Sequence, residues 1–160
     1  MKQLFSNIIT AVTGSDESIM AAKYAIIMAK LYHCHLNAVY VVDTATIKQL
    51  TLSKIFIQEE SVEYEKSLEA NGLRYLSFVE ELAHAKGVKI EKEIRKGAVY
   101  TEILAAAAEK RADLIVMGGW EKDRSSRDII GHAHREVMIN AKCSVVLVKE
   151  PGIDQLYKQA

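Results

Sequence analysis

Five short runs of β-forming apolar residues alternate with longer segments of helical periodicity along this chain of 160 residues. A parallel strand pair needs a long crossover connection, and strands that alternate with helices supply it. The sequence therefore predicts an α/β fold of Rossmann-like type, with a five-stranded, parallel, doubly wound sheet and helices on both faces. The predicted strands cover residues 8–12, 36–42, 88–94, 114–117 and 145–148.

The chain shows no sign of a second domain. Its single proline, Pro151, lies near the C-terminus, and no Gly/Ser-rich or proline-rich linker interrupts the chain. A domain of this length can bury an adequate core without disulfides or a metal. We therefore assign one domain to residues 1–150 and a C-terminal tail to residues 151–160.

Charge and cysteine content limit the partners and the compartment. Lys+Arg and Asp+Glu both number 21, so the formal net charge is zero, which argues against binding to nucleic acid or to an anionic membrane surface. The N-terminal residues lack the apolar core of a signal peptide. Cys34 and Cys143 lack the spacing of a zinc site or a disulfide framework. We expect a cytoplasmic protein that binds neither nucleic acid nor membrane.

Few residues suggest catalytic or metal chemistry. His33 with His35, and His132 with His134, are candidate metal ligands. Neither pair has a carboxylate or cysteine set that completes a site. His132 and His134 are also two apart on a predicted helix, where such residues do not face each other. The sequence also has no nucleophile elbow, P-loop or dinucleotide-binding glycine motif. We predict neither a resident metal nor an enzymatic activity.

The predicted fold directs attention to the residues that follow the strands. Doubly wound sheets bind ligands beyond the carboxyl ends of their strands, where the strand order reverses. Residues 13–15, residues 42–43 and the loop from Gly118 to Gly131 would lie there. Residues 44–58 follow the second strand and are more apolar than a connecting loop requires, so they form either a packed short helix or a lid or partner surface. Their apolar members are Ile47, Leu50, Leu52, Ile55, Phe56 and Ile57.

Three segments resemble the universal stress protein family. Residues 9–18 resemble its opening strand and turn, residues 112–118 its fourth strand, and residues 143–148 its last strand, with Ser144 where proline is frequent. The resemblance implies an adenine nucleotide alpha hydrolase-like fold and a regulatory or binding function in the stress response. It also implies a homodimer through the last strand, an apolar run at a sheet edge. That strand contains Val145, Val146, Leu147 and Val148.

The loop after the fourth strand resembles the nucleotide motif of this family, which reads Gly-x-x-Gly, nine residues, then Gly followed by Ser or Thr. Gly118 and Gly131 occupy the first and third glycine positions, while Glu121 replaces the second glycine and His132 the hydroxyl residue. Such glycines let backbone N–H groups approach phosphates. The alternative is that Gly118 and Gly131 only allow turns of the chain.

The resemblance extends to an adenine pocket. Thr13 stands where the family uses an aspartate near adenine, and Val41 matches a residue that lines the pocket. We predict a regulatory module without catalysis, with no certain cofactor, and the alternative is an ATP-binding switch that uses the Gly118–Gly131 loop. The candidate nucleotide site comprises Thr13, Val41, Met117, Gly118, Glu121, Gly131 and His132.

Overall fold

The computed structural model describes residues 2–119 and 127–160, with the backbone alone for residues 127–130. All neighbouring strands pair in parallel, in the order β3-β2-β1-β4-β5. The predicted five-stranded parallel sheet is confirmed. The strands are β1 (Asn7–Val12), β2 (His35–Asp43), β3 (Ile90–Gly97), β4 (Leu114–Gly118) and β5 (Ser144–Val148).

Helices cover both faces of this sheet, as predicted. On one face, buried residues of α1, α3 and α6 form two clusters with alternate residues of β1, β2 and β4. On the other face, α4 and α5 pack on the intervening residues of the same strands. The helices are α1 (Asp16–Tyr32), α2 (Thr44–Leu52), α3 (Gln58–His84), α4 (Val99–Glu109), α5 (Arg127–Asn140) and α6 (Ile153–Gln159). Within the described residues, no helix is both long enough and apolar enough to cross a membrane.

The third strand differs from its predicted bounds. It begins at Ile90, two residues later than expected, and continues to Gly97, which pairs with Asp43. Val88 is buried before the strand begins, because it packs in the core cluster that contains Ala83, and its N–H donates to Ala83 O at the end of α3 (2.9 Å). The alternation of apolar residues therefore predicted the burial of Val88 correctly, but the prediction that Val88 belongs to the strand was wrong.

Residues 44–58 divide between the two interpretations that the sequence leaves open. The predicted short helix is present as α2, which buries Ile47. Asp43 caps it, because the Asp43 carboxylate accepts hydrogen bonds from Thr46 N (3.0 Å) and Thr46 Oγ1 (2.7 Å). The apolar residues that follow α2 remain largely exposed. Only part of this segment therefore packs on the domain.

Residues 151–160 are assigned to a tail in the sequence, but α6 packs them onto the domain. Ile153 is fully buried. The Tyr157 hydroxyl donates to Leu82 O (2.7 Å), and Lys23 forms an ion pair with Asp154 (2.5 Å). A helix of seven residues with one fully buried side chain has too few periodic positions to be recognised from sequence.

Candidate ligand-binding site

A cavity lies at the point where the strand order reverses, between β1 and β4. Its volume is about 150 Å³, whereas pockets that enclose a whole drug-sized ligand measure roughly 300–1,000 Å³. It can therefore hold a group the size of a nucleobase, and the rest of a larger ligand would lie outside it. The described residues that line it are Ala11, Thr13, Ser15, Ser18, Val99, Ile103, Met117, Gly118, Gly119, Ala133 and His134.

Hydroxyl groups organise the β1 side of this cavity. Ser15 is the N-cap of α1, and its Oγ accepts from Ser18 N (3.1 Å). Ser18 Oγ accepts from Thr13 N (3.1 Å) and donates to Ser15 O (3.0 Å). Thr13 Oγ1 and Ser15 Oγ are 3.0 Å apart and share one hydrogen bond. Since each hydroxyl has one hydrogen, one of the two remains available to a ligand.

Gly118 brings the end of β4 against the first turn of α1. A Cβ at this position would lie 2.5 Å from both the carbonyl carbon and oxygen of Glu17, and 2.8 Å from Ser18 N. These are backbone atoms, so they cannot rotate away as a side chain could. Gly118 therefore has a structural reason to be glycine, and that reason is close packing rather than a turn.

His134 connects α5 to the same point. Its Nε2 lies 2.6 Å from Gly118 O, and because a carbonyl oxygen only accepts, Nε2 donates. This hydrogen bond ties the wall that contains Ala133 to the carboxyl end of β4. Sequence reasoning considered His134 only as a metal ligand, although its position three residues before buried Val137 places it on the inward face of the helix.

Gly131 has a different environment. It lies inside α5, which begins four residues earlier at Arg127. No described atom outside its own helix comes within 4 Å of a Cβ built at Gly131. The interpretation that Gly131 only permits a loop-to-helix turn is therefore wrong, because the helix has already begun. Among the described residues, packing does not require glycine here.

The structure brings together some of the predicted site residues. Thr13, Met117 and Gly118 line the cavity. Val41 packs against the hydrophobic cluster that contains Met117, and the His132 ring contacts Tyr100 edge-on with centroids 5.6 Å apart. Within the described part of the lining, Val41, Gly131 and His132 are absent. Glu121 lies outside the described residues. Ser15 and Gly119 also line the cavity and belong to the segments that the sequence placed at this crevice, although neither was named as a ligand contact. The lining residues that the sequence did not connect with this site are Ala11, Ser18, Val99, Ile103, Ala133 and His134.

A larger cavity, of about 400 Å³, lies next to Gly119 and the end of β5. The described residues that line it include three acidic residues, Asp16, Glu17 and Glu150, and the basic residue Lys149. A phosphate group would meet more negative than positive charge there, which is unfavourable. The smaller cavity at the reversal of strand order is therefore the better candidate for a nucleotide.

The two cysteines are free and partly buried. Burial, with a smaller effect of the Asp113 carboxylate, raises the pKa of the Cys34 and Cys143 thiols. Both thiols therefore form less of the reactive thiolate than an exposed cysteine does. Within the described residues, no group of three or more His, Cys, Asp or Glu side chains could hold a metal ion.

Comparison with known proteins relates this geometry to one family. The model of the universal stress protein family matches residues 4–149. A universal stress protein of Methanocaldococcus jannaschii is 36% identical over 151 residues, which cover 94% of this chain and 85% of that protein.

Solved structures of the family have the same fold. A family member from Burkholderia pseudomallei superposes with a TM-score of 0.70 and 22% identity, over 94% of this chain and all of that one. A family member from Arabidopsis thaliana with AMP bound gives a TM-score of 0.63 and 18% identity, over 93% of this chain and 94% of that one. The matched sequence, the strand order and the cavity at its reversal agree, and the chain belongs to the universal stress protein family.

Proposed function

We propose that this protein is a regulatory module of the cytoplasm that binds an adenine nucleotide at the reversal of strand order, acts as a homodimer through β5, and carries out no catalysis of its own. The nucleotide would be a ligand that reports a cellular state. Nucleotide binding and dimerisation through β5 are separate properties of the protein, and a different experiment tests each.

The observation that best supports nucleotide binding is the glycine at position 131. A glycine inside a helix destabilises the fold by roughly 0.5–1 kcal/mol relative to alanine. At Gly131, no described neighbour outside the helix lies within 4 Å of the position that a Cβ would occupy, so packing does not explain the glycine. A ligand that reaches the N–H groups in the first turn of α5 supplies such a reason, because those groups have no acceptor within the helix and a side chain at position 131, one turn later, would tilt toward them.

The cavity between β1 and β4 suits the base of the nucleotide. Val99, Ile103 and Met117 provide apolar surface for the faces of a base, and the Thr13–Ser15 pair provides a hydroxyl hydrogen at the rim. The ribose and phosphate would then extend toward α5. The Arabidopsis family member holds AMP, which supports adenine as the base.

A thermal-shift experiment tests the ligand. AMP, or ATP with magnesium, should raise the melting temperature of the purified protein, since a ligand bound only by the native state stabilises it. Gly131→Val should remove the shift while the protein stays folded. Gly152→Val is the matched control, because Gly152 lies at the start of α6 with no described atom within 4 Å of its Cβ position.

The ligand proposal also predicts that denaturing the purified protein releases any adenine nucleotide retained during purification. No released nucleotide, together with no thermal shift at millimolar AMP or ATP, would exclude this part of the function. A shift that Gly131→Val leaves intact would place the ligand elsewhere.

Support for a dimer through β5 comes from a difference in charge between the two edges of the sheet. At the β3 edge, ion pairs join the strand to neighbouring helices, including Glu91 with Lys110 (3.0 Å) and Lys92 with Glu80 (3.1 Å). Charged side chains of this kind discourage edge-to-edge pairing. The β5 edge has the uncharged sequence Ser-Val-Val-Leu-Val. Pairing with another chain is therefore favoured at β5.

Light scattering tests the dimer. The wild-type mass should correspond to two or more chains, and Val146→Lys should reduce it by placing a charge on the β5 edge. Val146→Ala loses similar packing without adding charge, so it should retain the wild-type mass. A wild-type monomer at micromolar concentration would refute pairing through β5.

A further inference from the structure

The turn between β1 and α1 carries the hydroxyl pair of the proposed nucleotide site. Thr13 and Ser15 both line the cavity, and their hydroxyl oxygens share one hydrogen bond. Two hydrogen bonds hold the ends of the turn, because Thr13 N donates to Ser18 Oγ and Ser18 N donates to Ser15 Oγ, both at 3.1 Å. Between them, neither the N–H nor the carbonyl oxygen of Gly14 is hydrogen-bonded within the part of the chain that the structure describes. Contacts other than hydrogen bonds therefore hold the centre of the turn.

The ring of Tyr75 packs against Gly14 from the other face of the sheet. A Cβ built at Gly14 would lie 2.5 Å from Tyr75 Cζ and 2.8 Å from Tyr75 Cδ2, so the ring occupies the place of a side chain. Tyr75 belongs to α3 and packs in the core cluster that contains Val12 and Leu76, whereas α4 and α5 line the cavity on the opposite face. Gly14 also has a φ of 85°, a conformation that residues with a side chain rarely adopt. The turn therefore requires glycine both for its backbone and for the ring.

Close packing between α3 and β2 fixes the position of the Tyr75 ring. Tyr40 of β2 is 6% exposed, and its ring centroid lies 6.3 Å from that of Tyr75. Tyr40 also fills the space beside Gly72 of α3, where a Cβ would lie 2.7 Å from Tyr40 Cε1. Gly72 therefore lets α3 approach the sheet closely, about one turn before Tyr75. A ring among close-packed neighbours has little room to move, so it gives Gly14 a rigid support.

Glycine has more backbone freedom than any other residue, so a glycine in a binding turn keeps one conformation only if its neighbours impose it. We propose that Tyr75 is a positioning residue of the nucleotide site, which holds the Gly14 turn so that the Thr13–Ser15 pair presents its free hydroxyl hydrogen to the base. This role rests on the proposed nucleotide function. It assigns part of the affinity for nucleotide to a residue on the far face of the sheet, outside the described lining of the cavity.

Amide hydrogen exchange, followed by NMR, measures the support given to the turn without any ligand. The reporter is the Thr13 N–H, because it donates to Ser18 Oγ across the turn. Tyr75→Leu removes the ring and should make the Thr13 amide exchange at least about tenfold faster, since the turn then opens more often. Tyr75→Phe keeps the ring and should leave the exchange rate unchanged. The Tyr75 hydroxyl has no hydrogen-bond partner among the described residues, so phenylalanine removes no such bond.

Isothermal titration calorimetry with AMP measures the consequence for binding. Tyr75→Leu should raise the Kd about threefold to tenfold, the range that one hydrogen bond contributes, and Tyr75→Phe should bind as the wild type does. Val79→Ala is the matched control, because it removes fully buried apolar contact from the same core cluster, about one turn further along α3. It should lower the melting temperature while leaving the Kd and the Thr13 exchange rate unchanged.

The outcomes distinguish the role of Tyr75 from the nucleotide function. If the wild type binds AMP and Tyr75→Leu leaves the Kd or the Thr13 exchange rate unchanged, the role of Tyr75 is refuted and the nucleotide function stands. A wild type that binds no AMP overturns both. Equal effects of Tyr75→Leu and Val79→Ala on the Kd and on exchange would show a general loss of stability instead of positioning. If Tyr75→Leu does not fold, Gly14→Ala replaces it, because the new Cβ displaces the ring from the turn; an unchanged Kd of that variant would also refute the proposal.

Discussion

The two glycines at the ends of the motif loop should respond to alanine with opposite signs. At Gly118, a new Cβ would lie 2.5 Å from the Glu17 carbonyl, whereas carbon atoms in favourable contact are about 3.5–4.0 Å apart. The clash involves the backbone of a helix start that Ser15 caps, so β4 or α1 must move. Overpacking of this kind costs about 1–3 kcal/mol, and we expect about 2–3 kcal/mol because no side chain can yield.

At Gly131 the same substitution meets no described neighbour within 4 Å outside its helix. Alanine should then increase the free energy of unfolding by about 0.5–1 kcal/mol through helix propensity. For a chain of this size 1 kcal/mol corresponds to about 2–4 °C in melting temperature. Gly118→Ala should therefore melt well below the wild type, and Gly131→Ala slightly above it.

Urea unfolding followed by circular dichroism measures both changes, with equal m-values as the check that the unfolding transition is comparable. The measurements should be made without nucleotide, because a bound ligand would stabilise the variants unequally. A Gly118→Ala protein within about 0.5 kcal/mol of the wild type would refute the close-packing argument. A Gly131→Ala protein less stable than the wild type would show that glycine at this position serves the fold, and would remove the main support for the nucleotide proposal.

Two further predictions concern the C-terminal helix and the charged edge. Ile153→Ala should lower the free energy of unfolding by about 2–5 kcal/mol, because Ile153 is fully buried. Leu156→Ala on the same helix should change it by about 0.5 kcal/mol or less. Equal effects of the two substitutions would contradict the packing of α6. Arg95 lowers the pKa of Glu109 through a hydrogen bond and its charge. The stability that this pair adds is therefore present at pH values above the ordinary pKa of a glutamate, and it is lost as the pH falls through the lowered pKa. The Arg95→Met protein should therefore lose less stability on acidification than the wild type in parallel urea titrations, and identical pH profiles would refute the coupling.

The location of the candidate site could be predicted from the sequence better than its composition. Thr13, Met117 and Gly118 terminate or follow strands, and the carboxyl ends of parallel strands meet at one edge of a sheet. Their place in the cavity therefore follows from the order of elements. Val99, Ile103 and Ala133 come from helices whose rotation and distance depend on packing, so no local pattern identifies them as lining residues.

The sequence by itself determined the five-stranded parallel sheet, because hydrophobic periodicity and turn residues are local properties. Tertiary structure decided which distant groups meet: His134 donates to Gly118 O, and Tyr157 donates to Leu82 O across 75 positions of the chain. It also distinguished the two motif glycines, since the neighbours of a missing Cβ belong to other elements. Such contacts depend on how helices pack on the completed sheet, and a one-dimensional pattern does not contain that information.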